Sequence, residues 1–446
     1  MGFARLPDAR RYRLTNATVP ACLVEGAGLV PDAKGLARAD LTIDGGALAA
    51  IRPAGSPDPE GAALPALDLD RGMAWPAFVE AHTHLDKGHI WPRAPNPDGS
   101  FDGALATVRA DTAAHWSAAD VRARMEFSLR CAFAHGTGLI RTHIDSGPPQ
   151  HRISWPVFAA LREEWAGRIE LQGSALVGID RVLEDPYFDD LGRTVRAHGG
   201  ILGAVTYPVP GLEAGIDRLF RHAAEHGLDL DFHADETGDP AVRSLALIAE
   251  AAIRHRFRGR VLVGHCCSLA RQPEEVIDRT LDRVAEAGLA IVSLPMCNMY
   301  LQDRRAGATP RWRGVTLLHE MKARGIPVMV SSDNTRDPFY AYGDLDALEV
   351  YAQATRILHL DHPVGDWPRA VTATPAEVLG RPELGRLAPG GGADLVLLRA
   401  RTWTELLSRP QTDRIVIRAG RATDTTLPDY RELDALLAPA AEGEHA

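Results

Sequence analysis

The stretch from Pro76 to Ile90 reads PAFVEAHTHLDKGHI, and it places two histidines, His82 and His84, directly after an apolar run. The run has the length and composition of a buried β-strand. Residues two apart on a strand point to the same face, so both imidazoles can reach one ion. This spacing predicts half of a metal site at the end of a strand.

Seven more apolar runs of this kind follow, and each ends in polar residues before an amphipathic stretch begins. From the second run onward they start about 30 residues apart, which is the length of one strand-and-helix unit. Eight alternating units predict the α/β class and, within it, a distorted (β/α)8 TIM barrel. The runs begin at Ala74, Gly138, Arg168, Ile201, Leu228, Val261, Leu289 and Pro327.

The two chain ends are predicted to form a separate small β-sandwich domain. Short β-type runs occupy residues 12–70, where Asp44 and Gly45 give a strong hairpin signal, and more follow residue 392. We assign residues 1–73 and 376–446 to the β-sandwich and residues 74–375 to the barrel. Residues 89–108, in the long gap after the first run, are predicted to be a loop that covers the mouth of the barrel.

The composition argues against a nucleic-acid or membrane partner. Of 446 residues, 45% are hydrophobic, the formal net charge is -10, and lysine and arginine are scattered rather than clustered. No apolar run approaches the ~18 residues that a membrane span needs, and the N-terminus lacks the apolar segment of a secretory signal. The cysteines show no disulfide or metal-binding spacing. We expect a cytoplasmic enzyme that acts on a small molecule. Whether the chain forms a homo-oligomer is left open.

Polar residues stand where several of the predicted strands end. The first run ends with His82 and His84, the fifth with His233, the sixth with His265 and the eighth with Asp333. Active sites of such barrels lie at the C-terminal ends of the strands, so these side chains should converge. Imidazoles and a carboxylate suit zinc or ferrous iron and leave a position for water. A divalent ion lowers the pKa of bound water from about 15.7 to about 7, which makes it a nucleophile.

Other polar residues also lie near these strand ends. Glu236, three residues after His233, is the candidate for carrying protons to the leaving group. His143 also ends a strand, and we favour a structural or supporting role for it over metal ligation. For Asp86 and Lys87 we favour a solvated loop over contact with the substrate.

Six stretches, in this order along the chain, resemble the amidohydrolase superfamily and, more narrowly, the bacterial cytosine deaminases and their relatives. They are VEAHTHLD, RTHIDS, FHADET, VGHCCS, NMYLQDR and SDNTRDPFY. The resemblance covers nearly the whole chain. It implies that one divalent ion, Zn²⁺ or Fe²⁺, is bound by His82, His84, His233 and Asp333.

The resemblance also implies catalytic roles. Glu236 would shuttle protons, His265 would help to polarise the substrate, and Asp333 would take a proton from the attacking water as well as bind the ion. Superfamily members with two metals often carry a bridging lysine or glutamate after the fourth strand. The corresponding segment here, ILGAVTYPVP, has neither residue, which favours one ion.

Three positions depart from the cytosine deaminase pattern and are the substrate-binding candidates. Gly178 stands where those enzymes have a glutamine, Asn334 where they have a second aspartate, and Phe339 where tryptophan is usual. The glycine is predicted to open space for a larger ring. Arg336 is interpreted as a structural partner of Asp337 rather than as a contact for an anionic substrate. Because unpaired buried polar groups are costly, we expect that cytosine is not the preferred substrate.

Together these features predict a mononuclear metal-dependent hydrolase that deaminates a small nitrogen heterocycle and releases ammonia. Water adds to an amidine-like ring carbon, and Glu236 protonates the departing amine. One alternative is a ring-opening amidohydrolase that cuts a cyclic amide. A second alternative is a catalytically inactive binding barrel, against which the intact set of ligands and Glu236 argue.

Overall fold

The computed structural model describes residues 2–58 and 63–437. Within these residues the strands are β1 (Arg11–Pro20), β2 (Leu36–Asp44), β3 (Ala47–Pro53), β4 (Ala66–Asp68), β5 (Met73–Pro76), β6 (Phe78–Thr83), β7 (Thr137–Asp145), β8 (Glu170–Leu176), β9 (Leu202–Thr206), β10 (Leu230–Ala234), β11 (Val261–His265), β12 (Ala290–Ser293), β13 (Val328–Val330), β14 (Leu395–Leu398), β15 (Ile415–Arg418) and β16 (Arg421–Ala422). The α-helices are α1 (Phe101–His115), α2 (Ala118–His135), α3 (His151–Glu164), α4 (Tyr187–Ala197), α5 (Leu212–His226), α6 (Ser244–Arg254), α7 (Glu274–Glu286), α8 (Pro295–Leu301), α9 (Leu318–Ala323), α10 (Ala347–Leu358), α11 (Ala373–Val378), α12 (Trp403–Ser408) and α13 (Asp434–Leu437).

The eight apolar runs of the sequence correspond to β6 through β13. Strands β9 to β13 form one parallel sheet in sequence order, and β6, β7 and β8 form a second sheet in that order. Isolated parallel bridges pair Ser174 with Ile201 and Gly178 with Val205, and another pairs Thr83 with Asp333. Strands β6 and β10 to β13 are buried at every position, as expected when helices cover a parallel sheet. The predicted α/β class is confirmed.

The segment after β6 differs from the predicted covering loop. Helix α1 begins at Phe101, so only part of residues 89–108 is a loop. Ser100 caps the helix by accepting a hydrogen bond from the Gly103 N–H, at 2.9 Å. The helix was not predicted because Gly103 and its irregular apolar spacing weaken the sequence pattern.

Strands from both chain ends form a single eight-stranded sheet. Its order is β16-β15-β14-β5-β1-β2-β3, with β4 paired to β1. Strands β2 and β3 are antiparallel and flank Asp44 and Gly45, which confirms the predicted hairpin. Fully buried aliphatic side chains such as Leu14, Leu41 and Leu395 give this sheet its own core.

The chain divides into two compact units. Of the described residues, 2–58, 63–80, 131–139 and 346–427 belong to the first, and 81–130, 140–345 and 428–437 to the second. The predicted domain boundaries stay a prediction, and residues 438–446 of the predicted β-sandwich lie outside the described residues. All the predicted site residues fall in the second unit. No helix among the described residues is both long and apolar enough to cross a membrane.

Candidate active site

The predicted metal ligands lie together at the ends of β6, β10 and β13. Nε2 of His84 lies 3.2 Å from Oδ1 of Asp333, and Nε2 of His82 lies 3.5 Å from the same oxygen. Nε2 of His84 also lies 3.3 Å from Nε2 of His233. The structure thus brings into one cluster four side chains from three widely separated segments of the sequence.

The backbone of Asp333 is tied to β6. Its N–H donates to the carbonyl of His82 at 3.0 Å, and its carbonyl accepts from the hydroxyl of Thr83 at 2.8 Å. Asp333 has φ 66, and His265 at the end of β11 has φ 71. Left-handed backbone at a residue other than glycine costs roughly 1–3 kcal/mol and is typical of functional sites.

The cluster is buried, and its protonation favours cation binding. Burial lowers the pKa of His84 to about 3 and holds the pKa of His233 well below its usual value, so both rings are neutral at neutral pH. Burial alone would raise the pKa of Asp333, but the imidazoles of His82 and His84 outweigh it and hold that pKa well below the usual range. Neutral imidazoles beside an ionised carboxylate are the forms that bind a metal ion.

Three distances within the cluster match those expected between ligands of a single divalent ion. Ligands about 2.0–2.2 Å from one ion in a tetrahedron lie about 3.3–3.6 Å apart. The distances among Asp333, His82, His84 and His233 given above span 3.2 to 3.5 Å. The two Nε2 atoms of His84 and His233 face each other, and two lone pairs at 3.3 Å repel unless a proton or a cation lies between them.

His143 contacts two of these ligands. Its ring centroid lies 4.0 Å from that of His82 and 4.4 Å from that of His233. Its Nε2 lies 3.8 Å from Oδ1 of Asp231, which also forms a buried ion pair with Arg141 at 3.1 Å. Nitrogen atoms of His82, His143 and His233 lie within 4.8 Å of one another, so His143 is one alternative ligand that an experiment must distinguish.

Glu236 reaches the site through a tight turn. Asp235, which precedes it, has φ 56, and its carboxylate accepts the Ser244 N–H at the start of α6 at 2.7 Å. Burial raises the pKa of Glu236 well above its usual value, and the nearby charge of Asp333 adds to this. A glutamate that is neutral at neutral pH can donate a proton.

Glu236 and His265 share a third residue that the sequence analysis missed. Oε1 of Glu236 lies 3.3 Å from Nδ1 of His265, and Nδ2 of Asn298 lies 3.1 Å from the former and 3.0 Å from the latter. Burial lowers the pKa of His265 to about 4, so its ring is neutral. The only signal for Asn298 in the sequence was its place in NMYLQDR, one of the six stretches of the resemblance.

The prediction that Asp86 and Lys87 form a solvated loop is wrong, because the structure buries both. Asp86 is 0% exposed and Lys87 is 5% exposed. The Lys87 ammonium lies 3.5 Å from Oδ1 of Asp145 and 5.2 Å from the ring centroid of Phe339. Although burial opposes its charge, Asp145 and Asp337 raise the pKa of Lys87, so it stays a cation.

The Asn334 amide is held by protein groups. Its Nδ2 donates to Oδ2 of Asp337 at 2.7 Å, and its Oδ1 lies 3.6 Å from the thiol sulfur of Cys297. The ring of Phe339 packs against Phe101 with centroids 5.4 Å apart. The amide of Asn334 keeps one further hydrogen for a ligand. The substrate-binding roles of Asn334 and Phe339 stay predictions.

The space beside Gly178 is filled. A Cβ atom at this position would lie 2.5 Å from the hydroxyl of Tyr207 and 2.5 Å from Oδ1 of Asp180. These two side chains hydrogen-bond to each other. These two side chains occupy the volume beside the glycine, and its predicted role of opening room for a larger ring stays a prediction.

Arg336 contacts an aromatic ring. Its guanidinium carbon lies 4.1 Å from the ring centroid of Tyr430. The carboxylate of Asp337 accepts hydrogen bonds from Nδ2 of Asn334 and from the N–H of Phe339, at 2.7 and 2.8 Å. These contacts do not support the interpretation of Arg336 as the partner of Asp337.

Comparison with known proteins identifies the family. The profile of the Amidohydrolase family matches residues 182–424. A pterin deaminase from Rhizobium rhizogenes (strain K84) is 58% identical over 435 residues, which cover 98% of this chain and 99% of that protein. The chain belongs to the amidohydrolase family. The predictions of an amidohydrolase, and of a hydrolase that acts on carbon–nitrogen bonds as a heterocycle deaminase, are confirmed at this level.

Three further proteins match the chain at lower sequence identity. An N-isopropylammelide isopropyl amidohydrolase from Pseudomonas sp. (strain ADP) is 25% identical over 76% of this chain and 83% of that protein. Among solved structures, a 5-methylcytosine deaminase from Klebsiella pneumoniae with bound 5-fluorocytosine matches with a TM-score of 0.78 and 24% identity, covering 92% of this chain and 96% of that chain. An N-isopropylammelide isopropylaminohydrolase from Burkholderia multivorans matches with a TM-score of 0.73 and 26% identity, over 93% and 98%. The fold is therefore that of amidohydrolase-family enzymes.

Proposed function

We propose that this chain is a metal-dependent deaminase that hydrolyses the exocyclic amino group of a pterin and releases ammonia. The observation that carries the proposal is the 58% identity, over nearly the full length of both chains, to a pterin deaminase. A pterin is a fused bicyclic ring, larger than cytosine, with its amino group on an amidine-like carbon between two ring nitrogens. This substrate agrees with the expectation that cytosine is not preferred.

We further propose that His82, His84, His233 and Asp333 hold one divalent ion, Zn²⁺ or Fe²⁺. The support is the burial of the cluster, its spacing of 3.2 to 3.5 Å and its neutral imidazoles. When bound, such an ion supplies Lewis acidity that brings the pKa of water to about 7. Strand β9, LGAVT, carries no lysine or glutamate to bridge a second ion.

The chain's own residues would handle the protons. Asp333 is ionised, so it can accept a proton as water adds to the carbon that carries the amino group. Glu236 is neutral, so it can protonate the departing amine and then recover its proton. The carbon–nitrogen bond to the amine breaks, and ammonia leaves. His265 would donate a hydrogen bond to the substrate.

Lys87 is proposed to recognise the oxo group of the ring. It is a buried cation beside Phe339, and its charge is close enough to lower the pKa of both His84 and Glu236. A hydrogen bond to a charged group contributes about 1.5–3 kcal/mol. Phe339 would contact the ring face, and Asn334 and the backbone of Gly178 would line the site.

The eight strands from β6 to β13 are proposed to close into a distorted (β/α)8 barrel, and the strands of both chain ends are proposed to form a β-sandwich. The isolated bridges between Ser174 and Ile201 and between Thr83 and Asp333 support closure, since they join the two sheets at both edges. The separate core of the chain-end sheet supports the second domain.

A substrate comparison tests the proposed function. Metal-loaded protein is given pterin, cytosine and a triazine, and ammonia and ring absorbance are followed together. We expect kcat/KM for pterin to exceed that for cytosine by at least about 10²-fold, as expected when polar groups match one ring only. A cytosine value of about 10⁵ M⁻¹s⁻¹ or more, unmatched by pterin, would overturn the proposal. Ring cleavage without ammonia would favour the ring-opening alternative.

The role of Lys87 is tested with two substrates. Replacing Lys87 with methionine keeps the aliphatic stem but removes the charge, and should lower kcat/KM for pterin by about 10–100-fold. The same variant should lose less than threefold toward 2-aminopteridine, which lacks the oxo group. Lys87→Arg, which keeps the charge, is the matched control. Equal losses toward both rings would show that Lys87 supports the fold and not the oxo group.

A further inference from the structure

Asn298 is a buried amide on the short helix α8. The residue is 0% exposed, whereas its neighbour Met299 is 44% exposed, so the helix turns the amide inward. Two backbone hydrogen bonds of 2.9 Å fix its main chain. The Asn298 N–H donates to the carbonyl of Leu294, and the Asn298 carbonyl accepts from the Gln302 N–H. Pro295 at the start of the helix fixes the entry of the chain.

The side chain of Asn298 has two acceptors for its two amide hydrogens. Nδ2 lies 3.1 Å from Oε1 of Glu236 and 3.0 Å from Nδ1 of His265. An amide nitrogen carries two N–H groups, so one can point to each acceptor. In the reverse orientation of the amide, both of its N–H groups would point away from these two acceptors.

The Asn298 amide bears on which ring nitrogen of His265 carries the proton. The amide N–H can donate to Nδ1, which lies 3.0 Å from Nδ2. A neutral imidazole that accepts at Nδ1 carries its proton on Nε2. Within the part of the chain that the structure describes, this buried Nε2 has no hydrogen-bond partner. Its N–H is therefore available to a ligand.

We propose that Asn298 is a positioning residue that sets the tautomer of His265 and orients Glu236 through a single amide. The inference rests on the proposed roles of these two residues in the reaction. With Asn298 in place, His265 presents a donor to the substrate while Glu236 is held for proton transfer. With the opposite tautomer, His265 would present a lone pair and could not donate from Nε2.

Asn298→Asp is the diagnostic variant, because a carboxylate accepts where the amide donates. It should draw the proton of His265 to Nδ1 and leave Nε2 as an acceptor. A wrong tautomer in a hydrolase costs up to ~10⁴-fold in kcat. We expect kcat to fall by about 10²–10⁴-fold, with KM changed by less than about threefold and metal content unchanged. Gln302→Leu is the matched control, since the side chain of Gln302 donates to the backbone carbonyl of Glu236 and not to its carboxyl group. The loss of kcat in this variant should be at least tenfold smaller.

The tautomer can be measured without substrate, so the test is separate from the proposed function. The measurement is nitrogen NMR of zinc-loaded protein labelled with ¹⁵N-histidine, and a His265→Gln variant assigns the signals of His265. The spectrum of the native chain should show the proton of His265 on Nε2. In Asn298→Asp it should move to Nδ1. A proton on Nδ1 in the native protein would overturn the inference, even if Asn298→Asp fails to fold. An unchanged tautomer in a folded Asn298→Asp would overturn it equally.

Discussion

Glu236→Gln is expected to bind its metal ion normally and to lose at least about 10²–10⁴-fold in kcat. Glutamine has nearly the shape of a neutral glutamate, so the contacts to His265 and Asn298 can be kept. What disappears is the exchangeable proton, and general acid–base catalysis contributes a factor of this size. Single-turnover kinetics with pterin, together with elemental analysis of the same sample, measure the two properties side by side.

The control for this experiment is Glu225→Gln, an exposed change on α5 with the same loss of charge. It should leave both kcat and metal content unchanged. If Glu236→Gln loses the ion as well as the activity, Glu236 is a ligand and not the proton carrier.

His84→Ala is expected to abolish stoichiometric metal binding and activity together. Changes to groups that only support metal ligands cost about 10–100-fold in metal affinity. Removal of a ligand should lower the metal affinity by at least about 100-fold. The change also removes the imidazole that lies 3.2 Å from the carboxylate of Asp333 and helps to stabilise its charge. Native protein should hold one ion per chain after dialysis against a weak chelator, and His84→Ala should hold almost none.

His143→Asn is the matched control for the ligand assignment, since His143 is as buried as His84 and also contacts His82 and His233. It should keep one ion per chain, with affinity reduced by no more than about 100-fold. Loss of the ion equal to that in His84→Ala would place His143 in the ligand set. Two tightly bound ions in native protein would contradict the single-ion site.

The strands and their polar ends could be predicted because each signal is local. An apolar run that stops at a histidine or an aspartate is visible in a short stretch of sequence, and parallel strands bring such ends to one edge. His82, His233, His265 and Asp333 are predictable at the strand ends for this reason. The hairpin at Asp44 and Gly45 was likewise visible, because its turn chemistry lies within two residues.

The parts that could not be predicted depend on neighbours far away in sequence. Lys87 follows the strand end in a stretch that reads as polar, yet Asp145 and Phe339 bury it. Gly178 suggests open space in the sequence, but the hydroxyl of Tyr207, from a later segment, occupies the volume beside it. The role of Asn298 depends on Glu236 and His265, which lie on other elements, so its own helix gave no indication.

The bridge between Thr83 and Asp333 has a consequence for the way the protein is made. The two residues are 250 positions apart, and they bring the first and last predicted ligands together. A ribosome adding roughly 5–20 residues per second needs about 12–50 s to pass from one to the other. During that interval the nascent chain carries histidines without the carboxylate that completes the set. With the proposed ligand set, insertion of the ion would be a late event in biogenesis, and a prematurely terminated chain would lack a ligand needed to retain it.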